Sequence, residues 1–168
     1  MIALPHCLRW SVAAIAAVLL PIAAAAAEPL LPGGSALGMT VPELQRTGPA
    51  LKRVPHPARL GGGLVGSWSG PAIDLAGLAV SPTYFFADGQ LRRVEYLARG
   101  RGPAAYAALL AWARAAWGAE LAVADPEGAY ASWSTQDFDA YLQLASPTPA
   151  GQVRLVIKQR VLKDASEL

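Results

Sequence analysis

The sequence predicts an α+β domain in which two tandem helix-plus-three-strand halves form one antiparallel sheet packed by helices. Three observations predict it. A capped helix start near Thr40 is followed by strand patterns. An Asp88-Gly89 pair stands between two apolar, strand-like runs. An alanine-rich segment with 3.6-residue periodicity then opens a second series of three strand candidates.

The segment before this domain reads as an export signal. Arg9 is the only charge in residues 1–27, an uncharged apolar run follows from Trp10, and Ala25-Ala26-Ala27 supplies small residues ahead of Glu28. Cleavage there leaves no stable membrane anchor and places the chain in the periplasm or outside the cell. The competing reading is an uncleaved anchor, because the run to Ala27 approaches the bilayer thickness. Residues 28–37, EPLLPGGSAL, carry two prolines and paired glycines and are expected to be a flexible lead-in. The single domain then spans residues 38–162, as pseudo-repeats 38–98 and 103–162, with a polar tail at 163–168.

Within the first half, Thr40 caps a helix running from Val41 to about Arg46. Glu43 is its capping-box partner, and Met39 with Leu44 occupies the staple positions. Residues 50–63, with Pro55, Pro57 and Gly61-Gly62-Gly63, lack a period and read as extended coil. A strand over 64–69 is expected to place Leu64, Gly66 and Trp68 on one face. The next strand covers 78–87, where Pro82 suggests an edge or a bulge. Asp88-Gly89 then turns the chain into LRRVEYLA. There Val94, Tyr96 and Ala98 alternate against Arg93, Glu95 and Leu97, one covered face against one wet face.

The second half begins after a loop at 99–102. In PAAYAALLAWARAAWG, Tyr106, Leu109, Leu110, Ala113 and Trp117 fall on one side of a helix that Pro103 starts and Gly118 ends. Strand candidates follow at 129–134, 138–145 and 152–162, with a turn at 146–151 between the last two.

The hexapeptide GQLRRV at 89–94 returns as GQVRLV at 151–156, and Ser67-Trp68-Ser69 returns as Ser132-Trp133-Ser134. Superposing the hexapeptides would pair inward Val94 with Val156. The better inward candidates are Leu155 and Ile157, so the alignment that keeps faces together sets Val94 on Leu155 and Tyr96 on Ile157. The architecture is doubled, and the letter match is partly accidental.

A domain of this order, starting Gly38-Met39-Thr40-Val41-Pro42-Glu43-Leu44, resembles the β-lactamase-inhibitor-protein type of fold. The same start resembles the small lipoproteins of the outer-membrane barrel-assembly machinery, which use a single such half. This chain differs from those lipoproteins in having no cysteine after its signal. The resemblance implies a sheet surface that grips other proteins.

Composition narrows the chemistry. With residues 1–27 removed the charges nearly balance, so neither nucleic acid nor another strongly charged partner is expected. Cys7 is the only cysteine and lies ahead of the apolar run, which excludes disulfides, thiol catalysis and thiolate metal sites from the domain. His56, between two prolines, is the only histidine after the signal and reads as a loop residue. Gly61, Gly63 and Gly66 satisfy G-x-G-x-x-G, but a strand follows where phosphate binding needs a helix N-terminus. GSWSG places Trp68 where a hydrolase elbow needs serine. Asp137 and Asp139 could form a carboxylate pair, with solvated strand-edge residues as the ordinary alternative.

No enzyme activity, cofactor or metal is therefore expected. The functional expectation is contact with another envelope protein, with candidate interface residues Trp68, Arg92, Arg93, Tyr96 and Trp133, because tryptophan, tyrosine and arginine dominate protein interfaces. For both tryptophans core packing is the default reading, with the aromatic surface as the functional one. A second function in view is a module for a small envelope ligand, a glycan or lipid fragment, stacked on Trp68 or Trp133 in an aromatic pocket between helix and sheet.

Overall fold

A computed structural model describes residues 30–47, 50–99, 102–122, 129–145, 148 and 150–160. The export signal at 1–27 and the tail at 163–168 lie outside them. The first half contains α1 (Val41–Thr47), β1 (Lys52–Arg53), β2 (Val65–Ser69), β3 (Ile73–Leu75), β4 (Leu78–Ala87) and β5 (Gln90–Ala98). The second contains α2 (Gly102–Trp117), β6 (Leu121–Ala122), β7 (Tyr130–Ser134), β8 (Phe138–Leu144) and β9 (Val153–Gln159).

The strands form one sheet in the order β1-β2-β4-β5-β9-β8-β7-β6, with β3 also paired to β4. Every pairing is antiparallel. The α+β class and the antiparallel sheet packed by helices are therefore as the sequence predicts.

The β4–β5 hairpin turns through Asp88 (φ 51°) and Gly89 (φ 74°). This is the primed two-residue turn whose twist matches that of its strands. Beyond it β5 alternates as expected: Val94, Tyr96 and Ala98 are buried, while Arg93, Glu95 and Leu97 are half-buried on the other face. Phe85 pairs with Arg93 and Phe86 with Leu91, which leaves Arg92 as the extra residue of a bulge.

One face of the sheet, the inner face, carries the core. α2 packs on β8 and β9 there, burying Ala105, Leu109 and Ala113. The buried stripe sets two alanines about Leu109, and Tyr106, Leu110 and Trp117 flank it half-buried. Gly118 ends the helix at φ 85°, its N–H bonded to the Arg114 carbonyl.

The other half of the inner face is covered by residues 30–37 of the stretch expected to be a flexible lead-in, and this corrects that expectation for them, residues 28 and 29 lying outside the described ones. Leu31, Ser35 and Ala36 are buried, and the Leu31 N–H bonds to the Ser35 carbonyl at 2.7 Å. The Tyr96 hydroxyl donates to the Pro32 carbonyl at 2.8 Å. Leu91 exchanges backbone bonds with Gly38 and Met39. Pro32, with Gly33 (φ 85°) and Gly34 (φ 80°), shapes a turn that tucks Leu31 under the sheet. At α1 the capping box forms as predicted: Glu43 Oε2 accepts from the Thr40 N–H and hydroxyl, both at 2.8 Å, and Leu44 enters the core.

Three further differences have local causes. β1 and β3 lie where coil or no element was expected; β3 joins β4 through Ala76 (φ 57°) and Gly77 (φ 73°), and alanine is no turn signature. Pro82 is neither on an edge nor at a bulge. Its carbonyl accepts from Gly70 N–H, so its ring nitrogen faces the same side, at the gap where β3 pairing ends at Val80 and β2 pairing begins at Thr83. A bulge between Val65 and Trp68 puts Gly66 against Phe85 and Trp68 beside Tyr84, so those two residues face opposite sides, not one.

Candidate functional site

The opposite, outer face of the sheet has no described helix over it, and strand register sets its side chains in three rows. The first runs Ser134, Asp139, Lys158, Arg93, Phe85. The second runs Ser132, Tyr141, Val156, Glu95, Thr83, Ser69. The third runs Tyr130, Gln143, Arg154, Leu97, Ser81. Small hydroxyl residues rim the face, and charged and aromatic groups fill its centre.

Arg93 organises that centre. Its guanidinium lies 5.6 Å from the ring centres of both Phe85 and Tyr141. Nη2 donates to Glu95 Oε1 at 2.5 Å and to the Tyr141 hydroxyl at 2.7 Å, and Nε donates to the same carboxylate oxygen at 2.9 Å. Tyr130 stacks on Tyr141 with ring centres 5.9 Å apart. Burial, and secondarily the neighbouring Tyr141, pushes the Tyr130 phenol above its ordinary pKa, so that phenol stays a neutral hydrogen-bonding group. Beneath this layer Phe85 and Val156 are buried. The face is thus a rigid polar and aromatic plate over an apolar floor.

Of the five residues the sequence singles out, the structure brings only Arg93 to the middle of this plate. Arg92, at the bulge, sits at its hairpin end and donates to Gln159 Oε1. Trp68 is half-buried on the inner face near the β1 edge, with the Arg53 guanidinium 5.0 Å from its ring centre. Tyr96 and Trp133 are corrected as interface candidates: with exposures of 0% and 3% they are core residues, in line with the inward reading of Tyr96 and the core reading of Trp133. Trp133 is locked by its Nε1–H bond to the Gly118 carbonyl and by edge-on contact with Trp117.

Sequence reasoning missed Phe85, Glu95, Tyr130, Tyr141, Arg154 and Lys158. The signal was present: each occupies the outward position of an alternating strand, and only the order of strands in the sheet shows that these positions are neighbours.

The Asp137 and Asp139 pair is divided between two settings. Asp139 Oδ1 accepts from the Ser134 hydroxyl at 2.8 Å and Oδ2 lies 3.9 Å from Lys158 Nζ, while Asp137 stands exposed at the turn before β8. Among the described residues no group of three or more His, Cys, Asp and Glu is placed to hold a metal. His56 is exposed, and the glycines at 61–63 lead into β2. What the plate can do chemically is donate and accept hydrogen bonds, pair with charges and cover apolar surface. No described helix is long and apolar enough to cross a membrane. Comparison with known protein families, with curated proteins and with solved structures finds no match to this chain.

Proposed function

We propose that this is an exported, periplasmic, non-enzymatic domain that binds another envelope protein through the outer face of its sheet. The observation that carries the proposal is the Arg93 cluster. Two tyrosines and an arginine are pre-ordered over buried Phe85 on a face that no described helix covers, and tyrosine and arginine are among the residue types that dominate binding energy in protein interfaces. Residues fixed before contact lose little conformational freedom on binding.

The finer architecture belongs to the same proposal: two consecutive helix-plus-three-strand units, 38–98 and 103–162, of the β-lactamase-inhibitor-protein type. In its support, strand order reads outward from a central β5–β9 pair as β5-β4-β2 on one side and β9-β8-β7 on the other, each series following a helix. Val94, Tyr96, Leu155 and Ile157, matched by the face-preserving alignment, are all fully buried.

A photoreactive residue replacing Gln143 on the outer face, in intact cells, is expected to crosslink to one discrete protein. The same residue replacing exposed Ala111 on α2 is expected not to. Equal yields from both positions, or none above background from Gln143, count against sheet-face binding. Export itself predicts an envelope-fraction chain whose N-terminus is Glu28.

A second function has one observation in its favour. A cleft of about 350 Å³ between the 30–33 turn and α2 is lined by Leu30, Asp74, Trp112, Trp117 and Phe138, at the small end of ligand sites. Its aromatic wall is Trp112 and Trp117 in place of the expected Trp68 and Trp133. Quenching or a blue shift of tryptophan emission on titration with muropeptides or short-chain phospholipids would favour it.

A further inference from the structure

The charges of the outer face are not equally engaged. Glu95 is held by two donors of Arg93, and Asp139 accepts from Ser134. The cations opposite them, Arg154 and Lys158, approach only to 3.9 Å, with 43% and 46% of their side chains exposed. Such long, solvated pairs contribute little to folding, so exchanging either carboxylate for one on a partner costs little.

Position adds to this. Both cations stand on β9, in the middle of the sheet, with Val156 between them and Tyr141 alongside. Four residues of strand separate their Cα atoms by about 13 Å. Lys158 also lines a groove of about 550 Å³ at the hairpin end of the face, where Arg92 and Arg160 supply two more cations against Asp88 and Asp139. The carboxylates interspersed among these cations disfavour a flat anionic membrane, which rewards an uninterrupted basic patch. They suit a protein surface that carries both acids and donors.

We propose, resting on sheet-face binding as read above, that the partner presents an acidic protein surface whose carboxylates seat at two points on β9, the groove at Lys158 and the exposed head of Arg154. The contact between those points covers Tyr141, which lies over buried Val156, and the partner's acids replace Asp139 and Glu95 as counter-ions of the two cations.

The probe is a soluble peptide of about ten residues with two glutamates four positions apart, compared with a lysine version and a glutamine version. Amide resonances of residues 153–159 are expected to shift with the glutamate peptide only. Its affinity should fall at least tenfold between 50 and 500 mM salt, and at least tenfold in the folded double variant Arg154→Glu, Lys158→Glu. Equal binding of all three peptides, an unchanged affinity in the double variant, or binding to phosphatidylglycerol vesicles in preference to the peptide overturns the inference.

The Gln143 crosslink separates the two levels. A crosslink that persists unchanged in the double variant leaves sheet-face binding standing and removes the acidic partner. Loss of any crosslink in the unaltered chain removes both.

Discussion

Gly66 shows how closely the outer face is built. A Cβ at this position would lie 2.8 Å from Phe85 Cε1, inside any contact real side chains make, so the strand passes under the ring only because glycine stands there. Phe85 cannot swing freely, since Arg93 lies over it. Gly66→Ala is expected to destabilise the fold by about 1–3 kcal/mol and to broaden the Phe85 and Tyr141 ring resonances. An unchanged thermal midpoint would mean that the ring has room to move. Nothing in the letters around Gly66 announces this, because the contact is with a residue on the neighbouring strand. The same limit hid what fastens Tyr96 and Trp133 in the core: their polar atoms are satisfied by the carbonyls of Pro32 and Gly118, 64 and 15 positions away, beyond the reach of a sequence window.

Elements whose cause is local were legible at their own scale. The capping box at Thr40 and Glu43, the Asp88-Gly89 turn and the α2 periodicity each act within a few residues, and each appears where expected. β3 and β6, of three and two residues, carry no alternation to read, and exist because β4 and β7 offer them partners.

The end of α2 is fastened by a device of the same local kind. Arg114 Nε donates to Glu120 Oε2 at 2.8 Å, and this bond holds the Glu120 carboxyl at a pKa of about 2, below its ordinary 4.5. A carboxyl whose folded pKa is depressed contributes stability above its ordinary pKa and loses it as pH falls toward the folded value. Thermal stability is therefore expected to carry a component that declines between about pH 4.5 and 2 and is missing from Glu120→Gln. Parallel pH profiles for the two proteins would show that the pair does not fasten the helix.

Across the whole molecule, strand order converts a list of alternating residues into two surfaces of different character. The inner face takes α2 and the 30–39 stretch and becomes the core; the outer face keeps Tyr130, Tyr141, Arg93, Arg154 and Lys158 in adjacent rows. The α+β class was legible, as was the inward set of β5, because period-2 alternation needs only the strand itself. The outer plate was not, since it depends on β5 meeting β9 and β9 meeting β8, a long-range pairing that no short motif encodes. Sheet-face contact with a partner is the claim on which the functional account turns. Its most direct test is hydroxyl-radical footprinting of intact cells against the purified protein, read at Tyr130 and Tyr141 with Trp112 on α2 as the internal reference. The account predicts that both tyrosines are modified several-fold less in cells while Trp112 is unchanged; equal modification of the tyrosines in the two settings would contradict it.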